Sequence, residues 1–129
     1  MAADKEAFDD SVTPIVEAGL SEIVSNNYRI DEHVYFLPLP GHTPGHVGVV
    51  IESNGQKAIL AGDAIHHPSQ IAHPEWTMLA DVDPEQALSS RKSLLEKIAD
   101  TDTLLMATHF ANPVAGRVVR SGESFEFKV

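Results

Sequence analysis

Apolar and polar positions alternate along this chain in short segments, and both the helical and the strand period can be read from them. Residues Asp4 to Ala18 read as a helical region. Thr13 and Pro14 suit the cap and first position of a short second helix, and Gly19 suits its stop. Strands are expected at Glu22 to Val24 and, with aromatic alternation, at Val34 to Leu37. Pro38 and Pro40 break that run, so Gly41 to Gly45 should be a loop. Val47 to Ile51 is a β-branched strand, Asn54-Gly55 is a hairpin turn, and Lys57 to Ala61 is the returning strand.

Gly62 to Met78, with Pro68 and Pro74, reads as irregular loop. Asp83-Pro84-Glu85-Gln86 opens a helix: Asp83 caps, Pro84 takes the first position and Gln86 can close a capping box. Ala87, Leu88, Leu94, Leu95 and Ile98 give it one apolar face. Thr103 to Ala107 is a buried strand, and a hairpin of Val118-Val119 and Phe125 to Val129 turns at Ser121-Gly122. Strands, a helix, a strand and a closing hairpin make an α/β layered unit, a single domain over residues 1–129.

Composition changes this picture little. Hydrophobic residues at 43% and charged residues at 22% are ordinary for a folded domain. The longest apolar runs, Val47 to Ile51 and Ala58 to Ala61, are far too short for a bilayer. Charge is more decisive: nineteen acidic against nine basic residues leave a formal net charge of −10. Such a field repels phosphate backbones and anionic lipid, so neither nucleic acid nor membrane is an expected partner. There is no cysteine, so any bound metal must rest on histidine and carboxylate. The N-terminus lacks a basic stretch followed by an apolar one, and a cytoplasmic location is the expectation.

The candidate chemistry lies at three loops, each following a strand. Pro40-Gly41-His42-Thr43-Pro44-Gly45-His46 holds two histidines four apart, which Pro44 and Gly45 keep from being a helical pair. Leu60-Ala61-Gly62-Asp63 sets a carboxylate at a strand end, and Met106-Ala107-Thr108-His109-Phe110 sets a lone histidine at another. A carboxylate with several neutral imidazoles is a usual ligand set for zinc and its neighbours. Asp63 alone would pass for a turn aspartate, His46 for a hydrogen-bonded structural histidine and His33 for a solvated strand residue. Trp76, Ile65 and Phe110 either line an apolar substrate wall or, the commoner fate, pack in the core.

These phrases, with Asp63 21 positions after His42 and His109 46 after Asp63, resemble the last three metal-binding motifs of the metallo-β-lactamase superfamily. The pattern is similar to the branch of acyl-homoserine lactonases and methyl-parathion-type phosphotriesterases, from about Ile30 onward. The resemblance implies the C-terminal half of an αββα sandwich, a mixed sheet with helices packed on one face. It implies two divalent ions, zinc first, with manganese, cobalt or iron as alternatives. His42 would ligate one, His109 the other, and Asp63 would bridge them, with His46 orienting the loop from behind. A metal-bridging hydroxide would attack a small ester, lactone, thioester or phosphotriester. His66 sits three after Asp63, where lactonase relatives often place a tyrosine; it is either a donor to substrate or an ordinary exposed polar residue.

One departure stands out. The leading His-x-His-x-Asp-His motif of the superfamily is formed by no subset of His33, His42, His46, His66, His67, His73 and His109. The expectation is therefore a fragment, inactive alone, that pairs with a missing N-terminal half or with a second copy of itself. The alternative is a truncated, non-catalytic module that binds or assembles through the exposed half-sandwich. Either way, His42, Asp63 and His109 should converge at one sheet edge within roughly 5–8 Å, as sites gather at the carboxyl ends of strands in open α/β sheets. His33 and His73 should lie outside that cluster and His46 just behind it.

Overall fold

A computed structural model describes residues 2–129. Two helices, α1 (Ala2–Ser11) and α2 (Thr13–Glu17), open the chain. Thr13 is already helical: Val12 holds the cap position with a right-handed helical backbone and no side-chain cap, so the two helices nearly run together. Gly19 does stop them at φ +69°. Leu20 N–H donates to Ile15 O and Gly19 N–H to Val16 O, which satisfies the last carbonyls of α2. The expected strand at Glu22 to Val24 does not form. Ile23 is 97% exposed there, because alternation makes a strand only where a neighbour pairs with it.

Six strands follow in sequence order across one sheet: β1 (Val34–Pro38), β2 (Val47–Ser53), β3 (Gln56–Leu60), β4 (Leu104–Met106), β5 (Ala115–Ser121) and β6 (Ser124–Lys128). Neighbours are antiparallel except β3 and β4, which run parallel. A parallel pair needs a long crossover, and α4 (Pro84–Ile98) supplies it. The Asn54-Gly55 turn has φ +51° and +75°, the left-handed pair that a tight hairpin requires. Asp83 caps α4 in an extended conformation by accepting from Gln86 N–H at 3.0 Å. The segment expected to be wholly irregular contains a 3₁₀ turn at Gly62–Ala64 and a short helix, α3 (Ser69–Ala72).

The core sits on one face of the sheet. Val50, Ile59 and Leu105 stand in register across β2, β3 and β4 and are buried with Leu94, Leu95 and Ile98 of α4. Ile65 and Phe110 join that core, whereas Trp76 lies exposed and stacks on His73 at 4.5 Å. On the other face the register aligns Phe36, Val49, Leu60 and Met106 in one row, with Val34, Ile51, Ala58 and Leu104 beside it. Ile51, Leu60 and Leu104 of that face are 37–42% exposed. This is a mixed sheet with α3 and α4 packed on one side and an apolar face with exposed residues on the other.

β1 and β3 point the same way, each antiparallel to β2 between them, and β4 is parallel to β3. Their carboxyl ends therefore meet at one sheet edge, where the three loops emerge.

Candidate metal centre

Gly41, one residue before His42, has φ +134°, and a Cβ there would lie 2.1 Å from the Ala87 backbone nitrogen. Only glycine lets this loop seat against the first turn of α4. Asp83 N–H donates to Gly41 O at 2.9 Å and Ser90 Oγ to Pro40 O at 2.6 Å, tying the loop to the helix. Gly62 does the same for the second loop. Its φ is +55°, and a Cβ would meet His46 Nε2 at 2.9 Å.

His46 bridges the two loops. Its Nδ1 lies 3.0 Å from Leu39 O, and its Nε2 accepts the Asp63 backbone N–H at 3.0 Å. Those partners assign the proton to Nδ1 and leave neither nitrogen for a ligand. His46 thus sits behind the cluster and fixes the backbone that carries Asp63.

Three imidazoles surround the Asp63 carboxylate. His42 Nε2 is 3.7 Å from Oδ2, while His109 Nε2 and His66 Nε2 are 3.0 Å and 3.9 Å from Oδ1. The His66 ring lies parallel to His109 at 5.1 Å and tilted against His42 at 5.1 Å. Sequence alone left His66 open between a substrate donor and an exposed polar residue; its side chain is 9% exposed and faces Asp63. Burial is the largest influence on this imidazole and pulls its pKa down, with the Asp63 carboxylate opposing. His33 bonds the Glu52 carbonyl and His73 pairs with Glu75, both away from the cluster. His67 bonds Ser69 locally.

Two residues that sequence reasoning missed hold His42. Asp81 Oδ1 accepts from His42 Nδ1 at 3.2 Å, which turns Nε2 toward Asp63. Arg91, on α4, lies 3.8 Å from the other Asp81 oxygen and donates to the carbonyls of Ala64, Pro74 and Trp76. Both side chains are fully buried. The signal was present: Arg91 occupies the apolar face of α4 between Ala87 and Leu94, where a cation must be paired.

This arrangement fits a divalent ion. Asp63 Oδ1 is buried with no hydrogen-bond partner, since His109 Nε2 lies near it without the angle of a hydrogen bond. His66 Nδ1 is likewise unpartnered. A buried carboxylate oxygen left unsatisfied is costly unless something binds it. Ligand atoms of His42, Asp63 and His66 all fall within 4.8 Å of one another. Two ligands of one tetrahedral zinc are about 3.4 Å apart, so small side-chain movements suffice.

Known proteins are similar to this chain in sequence and in fold. Residues 30–109 match the profile of the family described as the metallo-beta-lactamase superfamily. The chain belongs to that superfamily. An N-acyl homoserine lactonase of Bacillus thuringiensis is 30% identical over 88 residues, 68% of this chain and 35% of that protein. Among solved structures, AidC, a dizinc quorum-quenching lactonase in complex with a homoserine product, is similar over 94% of this chain and 46% of its own, with TM-score 0.74 and 26% identity. The hydrolase AbOPH of the beta lactamase superfamily covers 95% of this chain with 43% of its own, at TM-score 0.87. Its 22% identity speaks for the fold alone. The chain spans about a third to under half of the length of these proteins. No helix among the described residues is long and apolar enough to cross a membrane.

Proposed function

We propose that this chain supplies the C-terminal half of the metal site of a dinuclear metal-dependent hydrolase, with His42, Asp63 and His109 as its ligands. The observation that carries this reading is the approach of His42 Nε2 and His109 Nε2 to opposite oxygens of one carboxylate, at 3.7 and 3.0 Å. Divalent ions held there would supply Lewis-acid activation of water and of the electrophile. The chain's own residues do the rest. Asp81 holds the His42 ring with Nε2 forward, and His46 fixes the Asp63 backbone. Asp63 and His66 are the groups we place at the reacting centre, facing each other at 3.9 Å.

The substrate class is a small molecule with an electrophilic carbonyl or phosphoryl centre: an ester, lactone, thioester or phosphotriester. Lactonase relatives support the lactone among these. The uncovered apolar sheet face favours a second reading, in which the chain is an assembly module that acts by pairing.

With two metals in the site, His42, Asp63 and His109 give each only one histidine and a shared carboxylate, short of the three protein ligands usual at each catalytic zinc. The chain alone, with zinc, manganese or cobalt added, is therefore expected to hydrolyse a panel of these substrates at background rate. Joining a segment that carries His-x-His-x-Asp-His should create hydrolysis that a chelator abolishes. Chelator-sensitive turnover by the chain alone, at rates comparable with intact lactonases, would overturn the half-site reading.

A further inference from the structure

The half-site has a property that the superfamily pattern does not include. We infer that His66 is itself a metal ligand, and that His42, Asp63 and His66, flanked by His109, form a self-contained site for one divalent ion within this chain.

Count and placement both support it. Each of the three offers a ligand atom within 4.8 Å of the others, which is the three-ligand complement of a zinc site with one open position. His66 Nε2 and His109 Nε2 both address Asp63 Oδ1, while His42 Nε2 addresses Oδ2, so three ring nitrogens close around a single carboxylate. The approach distances of 3.7 and 3.9 Å for His42 and His66 are longer than hydrogen bonds and close to the spacing of two ligands on one ion.

His66 is also held in place. Its backbone N–H donates at 2.7 Å to Gln70, whose own amide donates to Trp76 O at 2.8 Å. Gln70 is 4% exposed, and the Trp76 carbonyl is also gripped by Arg91. A ring fixed from behind, stacked on a second histidine and turned with Nε2 toward a carboxylate, is poorly explained as an ordinary exposed polar residue. A metal bound by His66 Nε2 would also satisfy Asp63 Oδ1, which has no hydrogen-bond partner.

The inference rests on the reading of His42 and Asp63 as ligands, and the test separates the two. The 129-residue chain is titrated with cobalt(II) and zinc, following calorimetry, the cobalt visible absorption and the ¹⁵N shifts of the histidine rings. One ion per chain is expected, with a four-coordinate cobalt spectrum and His66 ring nitrogens shifting together with those of His42. His66→Phe keeps the stacked ring shape and is expected to bind more weakly by more than about tenfold, with an altered cobalt spectrum. The zinc-dependent ring shifts of the unsubstituted chain decide the matter even if that variant does not fold. Unchanged affinity and spectrum in His66→Phe, with binding lost in His42→Asn and Asp63→Asn, would overturn the role of His66 and leave the superfamily ligands standing. An unsubstituted chain that binds no ion at millimolar cobalt would overturn both.

Discussion

At the scale of single residues, this site depends on groups that give a histidine one direction. His42 reaches Asp63 with Nε2 only because its Nδ1 is held by Asp81, a side chain with no exposure to solvent. Carboxylates that orient ligand histidines also raise their basicity, and their loss typically weakens metal affinity 10–100-fold. Asp81→Asn is therefore expected to lower zinc affinity by roughly that factor in a competition titration, with circular dichroism unchanged. Affinity equal to that of the unsubstituted chain would show that Asp81 does not position the ring. The residues that gather at Asp63 stand out in the sequence at strand ends, and for His42 and Asp63 proline or glycine marks the loop as well. Asp81 does not: Pro84 marks Asp83 as the helix cap, but nothing local separates a buried Asp81 from an exposed one. That distinction appears only when α4 folds back against the loop after β1.

Among the elements, α4 does more than cross between parallel strands. Its first turn receives Gly41, its middle turn buries Arg91, and Leu94, Leu95 and Ile98 fill the core. Arg91 fastens the long segment between β3 and α4 through three carbonyls and lies beside Asp81. Removing one partner of a buried ion pair typically costs 3–5 kcal/mol, because the other charge stays buried. Arg91→Met should lower the unfolding free energy by about that amount in urea denaturation, a large share of a small domain's stability. A loss below about 1 kcal/mol would mean that water replaces the guanidinium at no great cost.

Elements with local determinants were readable in advance: the Asn54-Gly55 hairpin, the Asp83-Pro84 helix start and the Gly19 stop each follow from backbone rules. The strand expected at Glu22 to Val24 failed because pairing is not local. The helix α3 was hidden in a proline-bearing stretch, and it forms where Gln70 and Ile71 become buried.

For the molecule as a whole, the sheet has one finished face and one unfinished face. Rows of Phe36, Val49, Leu60 and Met106 and of Val34, Ile51, Ala58 and Leu104 form a continuous apolar surface. The structures it resembles are more than twice as long, and this chain matches under half of each. In the chain alone we expect a second copy to cover this face. Sedimentation at tens of micromolar should then give a dimer or larger species, and Leu60→Glu with Leu104→Glu should shift it toward monomer. A stable monomer that binds no hydrophobic dye would contradict this. The sequence indicated this half-sandwich through motif order, but which strand residues face outward required the register.

The central claim is that His42, Asp63 and His109, with His66 between them, form a metal site at the carboxyl ends of β1, β3 and β4. Crystals of the chain soaked in zinc and measured on both sides of the zinc absorption edge test it most directly. The account predicts an anomalous peak within ligand distance of His42 Nε2 and the Asp63 carboxylate. Zinc found only at exposed histidines such as His33 or His73, with none at Asp63, would contradict it.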